Sequence, residues 1–134
     1  MAVIDASVLV TLFTGREDFD WVEKQLLVDD TRRSLWAPHL IDAEVGHSLR
    51  RLVAAGEMED DHAAAALGDL ATMQLRRIVH TDLLARAWQL RHNLSFYDGL
   101  YVALAEMLET SLITLDIRLA RAAAKTAGID VLTV

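Results

Sequence analysis

Short apolar segments of strand length alternate along this chain with longer segments of helical period. That order predicts a parallel sheet covered on both faces by helices. Ala2 to Asp5, Leu35 to Ala37, Leu75 to His80 and Ser111 to Leu115 read as strands, with Ile129 to Val134 as a candidate last strand. Between them, the spacing predicts helices over Ser7 to Phe13, Phe19 to Asp29, Leu40 to Ala55, Asp60 to Met73, Asp82 to His92, Ser95 to Glu109 and Ile117 to Ala127. Gly15, Gly56 and Gly128 stand where helices should stop, and the single proline, Pro38, leads into one.

No linker, repeat or low-complexity run divides the 134 residues, so one domain is expected over residues 1–134. The 53% hydrophobic content suffices for a sizeable core and leaves apolar surface for a partner. Cysteine is absent, which excludes disulfides and thiolate metal sites. Neither a basic leader nor an apolar run of transmembrane length is present, so no membrane association and a cytoplasmic location are expected. A formal net charge of −7 argues against nucleic-acid binding by bulk electrostatics. It leaves room for local positive patches. Of the 13 basic residues 11 are arginine, several in pairs such as Arg32 with Arg33, Arg50 with Arg51 and Arg76 with Arg77. Each pair taken alone is most simply a solvated face.

In an open parallel sheet, ligands bind beyond the carboxyl ends of the strands. Asp5 ends the first strand and Asp116 follows the fourth. Both also suit helix N-caps. Glu44 lies on the helix after the second strand, at the edge of an apolar stripe of Ile41, Val45, Leu49 and Leu52. Asp42 is a rival on the same helix, and by helical angle alone it lies closer to the stripe, so periodicity does not choose Glu44. Asp98 sits in the first turn of the helix that begins at Ser95, beside Tyr97 and Tyr101. Ser95 with Asp98 has the spacing of a capping box. That helix carries an apolar series of Phe96, Leu100, Leu104, Met107 and Leu108. Carboxylates gathered at one edge repel and stay ionised only beside a cation. Oxygen ligands suit the hard ions Mg²⁺ and Mn²⁺, and the five histidines show no zinc spacing. A cation held by acids, with water in its open positions, is suited to phosphodiester hydrolysis.

Four stretches, "VIDASVLV", "APHLIDAEV", "SFYDGLYVALAE" and "LITLDIRLARAA", resemble the four acidic blocks of PIN-domain nucleases, and most of all the VapC-type toxins of bacterial toxin–antitoxin pairs. The blocks occur in the family's order and span nearly the whole chain. The resemblance implies a three-layer α/β/α PIN-like fold with a central parallel sheet. It implies an Mg²⁺- or Mn²⁺-dependent ribonuclease acting on RNA, a homodimer, held inactive by a small cognate antitoxin. Block by block, Asp5, Glu44, Asp98 and Asp116 take the acidic metal-site roles. Thr114 matches a hydroxyl residue near the site, and Ser7 has either a similar role or that of a helix N-cap. Arg118 has two readings, a phosphate contact and a solvated first-turn residue, the second being the simpler. Gly99 and His47 are unexpected next to the third and second acids. Gly99 suggests close packing, and His47 either touches the site or faces solvent. Three rival functions remain: a nuclease of RNA maturation outside toxin–antitoxin pairs, a non-catalytic interaction module, and a phosphoryl-transfer enzyme using Asp5 as nucleophile. The last lacks its usual second acid, since Ser7 stands in that position.

Overall fold

The structure, a computed structural model, describes residues 1–134. Five strands, β1 (Ala2–Ile4), β4 (Leu35–Pro38), β5 (Arg76–Ile78), β6 (Leu112–Ile113) and β7 (Val131–Leu132), form one sheet in the order β5-β4-β1-β6-β7. All its pairings are parallel. The chain moves outward from β1 through β4 to β5, then returns to the other side of β1 as β6 and β7. Strand order therefore reverses between β1 and β6. That reversal opens a crevice at their carboxyl ends, the usual ligand position in such sheets.

The helices are α1 (Ala6–Thr14), α2 (Phe19–Gln25), α3 (Leu40–Ala54), α4 (Asp60–Thr72), α5 (Leu84–Gln89), α6 (Phe96–Met107) and α7 (Ile117–Thr126). Together with the sheet they make the expected three-layer α/β/α arrangement. Strands β1 and β6 are wholly buried, as their unbroken apolar runs require. Of the helices, α6 packs on β1 and β4 and against α5, and every residue from Gly99 to Ala105 is buried. Its burial thus differs from the expected stripe. Phe96 and Met107 are exposed, whereas Gly99, Ala103 and Ala105 lie inside. Small residues let neighbouring elements approach this helix from several sides. A Cβ on Gly99 would stand 3.2 Å from the carbonyl oxygen of Ala87 and 3.3 Å from its Cα. Gly99 is therefore explained by the close crossing of α5 over α6.

Several element boundaries differ from the sequence expectation. Strands β6 and β7 are shorter than the strands expected there, and α5 ends at Gln89. Three further differences have a visible cause. The helix expected to run to Asp29 stops at Gln25. A hairpin of β2 (Leu27–Val28) and β3 (Thr31–Arg32) follows, with Asp29 and Asp30 at φ 50° and 60°. Two successive positive φ values are what a tight two-residue hairpin needs, and Asp tolerates them. The strand expected over Leu75 to His80 is confined to β5, because His80 belongs to a 3₁₀ turn, His80–Asp82. There its Nε2 accepts the backbone N–H of Leu40 at 2.8 Å, and so caps the start of α3. This turn also shortens the helix expected from Asp82, which begins as α5 at Leu84. Helix α3 is fixed to the edge strand by a second contact. The Arg77 guanidinium holds Asp42 by two bonds of 2.6 and 2.9 Å and donates to the Leu70 carbonyl at 2.8 Å. No helix is long and apolar enough to cross a membrane.

Candidate active site

Asp5 follows β1 directly, on the central strand and beside the strand reversal. It is 6% exposed. A carboxylate this deep is tolerable only if hydrogen-bonded. Its Oδ1 accepts from the Ser7 backbone N–H at 3.0 Å, which caps α1, and from the Ser7 hydroxyl. Its Oδ2 accepts from the Thr114 hydroxyl at 2.5 Å. Both hydroxyls are oriented from behind. Leu115 N–H donates to Ser7 Oγ at 2.9 Å, and Asp116 N–H donates to Thr114 Oγ1 at 3.0 Å. Each hydroxyl has one proton, so accepting from an amide leaves that proton for Asp5. The turn after β1 and the turn after β6 are thereby joined through one carboxylate. Of the two roles the sequence offered Ser7, the structure keeps one: the N-cap of α1 is Asp5, to which Ser7 gives its amide, while the Ser7 hydroxyl supports the acid.

Asp116 lies at the adjacent strand end and is exposed. Its Oδ1 caps α7 by accepting from Arg118 N–H at 3.0 Å and Leu119 N–H at 3.1 Å. Glu44 is half-buried in α3, and its Oε1 accepts from the Tyr101 hydroxyl of α6 at 2.6 Å. Asp42, its rival, is occupied by Arg77, so the two acids of α3 are divided between structure and site. Asp98 is half-buried in the first turn of α6. The N-cap is Ser95, whose Oγ accepts the Asp98 N–H at 3.1 Å. Asp98 is thus not the cap, and its carboxylate makes no ion pair. Arg118 and His47 are both exposed.

The electrostatics show that the four acids share one region. Burial pushes Asp5 up to about 6, against the hydrogen bonds from Ser7 and Thr114, and Asp116 adds repulsion. Burial also raises Glu44, opposed by the Tyr101 hydroxyl and reinforced by the charge of Asp98. Asp98 is raised by burial, lowered by the Ser95 hydroxyl, raised by Asp116 and lowered by Arg118. Tyr101 is raised far above its ordinary range, first by burial, then by Glu44, Asp5 and Asp98, and stays a neutral donor. Repulsion thus links Asp5 to Asp116, Asp116 to Asp98 and Asp98 to Glu44.

Tyr101 is the site residue to which the sequence assigns no role beyond its place beside Asp98. The available signal was a tyrosine one turn from an acid on a helix otherwise apolar. A buried phenol must find an acceptor.

The donor set fits a hard divalent cation in chemistry: carboxylate and hydroxyl oxygens, with neither sulfur nor imidazole among them. No group of three or more acidic or histidine side chains closes around a common point. Each acid has coordinating capacity left. Asp5 Oδ2 accepts only from Thr114, Asp116 bonds through Oδ1 alone and Glu44 through Oε1 alone.

Residues 2–125 match the sequence profile of the PIN domain. The chain is 45% identical to Ribonuclease VapC1 of Mycobacterium tuberculosis over 121 residues, covering 90% of this chain and 89% of that protein. Among solved structures, PAE2754 from Pyrobaculum aerophilum superposes with a TM-score of 0.65 at 25% identity, covering 97% of this chain and 82% of the other. VapBC2 from Rickettsia felis, solved bound to a DNA fragment from their promoter, superposes with a TM-score of 0.67 at 14% identity, covering 98% and 97%.

The raised Asp5 has a stability consequence. Between its ordinary 3.8 and about 6 the folded state binds more protons than the unfolded state, so stability falls as pH rises through that window. Above it, the ionised buried carboxylate costs about 3 kcal/mol. Thermal melts in chelator should therefore show Asp5→Asn gaining on the parent between pH 4 and pH 7.5. Excess Mg²⁺ at pH 7.5 should raise the parent's Tm and leave the variant's nearly unchanged. A Tm difference independent of pH and of Mg²⁺ would contradict this account of the site.

Proposed function

The chain belongs to the PIN-domain family, and from that premise we propose that it is a metal-dependent endoribonuclease toxin of the VapC type. Residues 1–134 form one PIN domain in this reading, which works in the cytoplasm. The observation that carries it is the gathering of Asp5, Glu44, Asp98 and Asp116 beside the strand reversal, with three of the four pushed up by burial and mutual repulsion. Such a cluster costs stability unless a cation joins it. A non-catalytic module has no physical reason to keep it. The 45% identity to a protein named a ribonuclease supports RNA as the substrate.

Asp5, Glu44, Asp98 and Asp116 would hold Mg²⁺ or Mn²⁺. The bound cation supplies Lewis acidity toward a phosphoryl oxygen and makes water a better nucleophile near neutral pH. Asp5 is the fixed member, immobilised by Ser7 and Thr114. Tyr101 keeps Glu44 in one orientation by donating to Oε1 while leaving Oε2 free. Asp98 has no ion pair and is half-exposed, so it can orient the attacking water and accept its proton. The water oxygen bonds to phosphorus as its proton passes to Asp98, and one phosphorus–oxygen ester bond breaks. The departing sugar oxygen takes up a proton from solvent water, to which Asp98 returns its own. Arg118, exposed beside Asp98 and Asp116, is positioned to contact a phosphate.

Cleavage of total RNA with Mg²⁺, Mn²⁺ or chelator tests the reading. Asp98→Asn and Glu44→Gln should each lower the rate by at least about a hundredfold, the scale of losing one group that acts in the transition state. Asp42→Asn should lower Tm through the loss of Arg77 and leave the rate per folded molecule near the parent's. Equal losses at Asp42 and Glu44 would show that the wrong acid has been placed in the site.

The protein is a homodimer in this reading. Trp88, Leu84 and Met107 stay exposed on α5 and α6, more apolar surface than a monomer gains from displaying. Sedimentation at tens of micromolar should give a dimer, and a lone monomer would count against it.

The second partner is a small cognate antitoxin, a reading supported by the likeness to VapBC2. An inhibitor of a site built from carboxylates can insert a positive side chain among them. Arginine suits this, because its planar fork bonds carboxylates bidentately and keeps its charge when desolvated. Replacing that arginine with Ala in the co-expressed partner should weaken inhibition more than it weakens complex formation. A complex that excludes RNA while the acidic pocket stays open to solvent would refute this arrangement.

A further inference from the structure

The edge of the sheet opposite the acids carries charge of the other sign. At the amino ends of β4 and β5, where residues 32–35 and 73–76 approach the sheet, lies a groove of about 720 Å³. Its floor includes Leu12 and Leu35. Its rim bears Arg32, Arg33 and Arg76 against one acid, Glu23. None of the three guanidiniums takes part in an ion pair. Arg33 Nε is buried and lacks a hydrogen-bond partner, a costly condition for a donor. The Arg76 guanidinium lies over the Trp36 ring, 5.1 Å from its centroid, which restrains the cation without neutralising it. On a chain of net charge −7, this grouping runs against the overall balance.

We propose that this groove is an exosite for the RNA strand, binding its phosphates away from the scissile bond. The inference rests on the nuclease reading for its choice of substrate. Electrostatics supply the first argument. The catalytic edge is lined by four carboxylates, so even with a cation bound it offers a polyanion little net attraction. Arg118 alone adds little there, so most of the affinity for RNA has to come from positive surface elsewhere, and this groove offers three arginines outside any ion pair. Guanidinium chemistry supplies the second. Arginine forks match phosphate oxygens bidentately, and a guanidinium plane held over an aromatic ring gives an unstacked base a surface to lie on. Distance supplies the third. A four-residue strand such as β4 spans about 13 Å. The strands that separate the two edges are thus no longer than a few nucleotides of single strand.

Fluorescence anisotropy with a labelled single-stranded RNA of about twenty nucleotides, in chelator to prevent cleavage, tests this on the intact protein. Arg32→Ala/Arg33→Ala/Arg76→Ala should weaken binding roughly tenfold or more. It should also reduce the slope of log K against log salt by about 2, since three phosphate contacts on a single strand contribute about 0.7 each. Arg50→Ala/Arg51→Ala, an exposed pair on α3, should leave both within about twofold of the parent, being no part of the groove. Should loss of Arg33 impair folding, Arg32→Glu/Arg76→Glu keeps that residue and should weaken binding at least as much. Parent-like affinity in both groove variants would overturn the proposal, as would an equal loss in the α3 pair. Polyglutamate competing as well as unlabelled RNA of equal length would also overturn it, marking a site for acidic peptides. Cleavage assays with Mg²⁺ separate the two readings. Groove-dependent binding without cleavage would leave the exosite standing and remove the nuclease, and cleavage with groove-independent binding would do the reverse.

Discussion

The carboxylate of Asp5 is the point on which the site depends. It ends the central strand and receives hydroxyl protons from Ser7 and Thr114, while those hydroxyls receive amide protons from Leu115 and Asp116. Residues more than a hundred positions apart in sequence are thus joined through one buried group. The strand pairing of β1 with β6 brings the two turns near each other, and the hydrogen-bond network sets their detailed geometry. Neutral hydroxyls do this without cancelling the charge. An arginine in their place would hold the same turns together and leave nothing for a cation to bind.

Capping and metal binding looked like competing explanations for the acids at helix starts. A carboxylate has two oxygens, so one residue can cap a helix with the first and keep the second free. Asp116 spends Oδ1 on the amides of Arg118 and Leu119, and Oδ2 remains. Glu44 shows the same division without a cap, with Oε1 held by Tyr101. Using one oxygen structurally fixes the direction of the other, which a freely rotating surface acid would not have. Asp98 departs from this pattern. Its helix is capped by Ser95, and its carboxylate is left without an ion pair.

What could be read in the sequence follows the range of the interactions. Alternating short apolar runs and helical periods are local, so the parallel sheet, its layers and the acids at its strand ends were all legible before the structure. Thr114 and Ser7 were visible as hydroxyls at the right turns. Long-range partners were not. Tyr101 reaches Glu44 across 57 positions, and nothing local distinguishes it from a core aromatic. Helical angle favours Asp42 over Glu44, and the partner that occupies Asp42, Arg77, is 35 positions away and invisible to local periodicity. The misplaced end of α2 had another cause. A pair of aspartates adopting positive φ leaves no trace in an apolar periodicity. His80 was read as the end of a strand because an imidazole capping a distant helix is a tertiary event.

The same sheet also separates charge by polarity. Parallel strands put all their carboxyl ends on one edge, where the acids lie, and all their amino ends on the other, where Arg32, Arg33 and Arg76 line a groove. An antiparallel sheet would mix the two kinds of end along each edge. Net charge conceals this, since −7 is an average over two edges of opposite character. For an enzyme acting on a polyanion the separation resolves a conflict. A metal site needs concentrated negative charge, and a nucleic-acid site needs concentrated positive charge. Were a whole cluster of arginines set among the carboxylates, pairs like that of Arg77 with Asp42 would form, and each such pair would weaken both sites. Placing the buried strands β1 and β4 between the edges keeps each set of charges away from the other and available to its ligand.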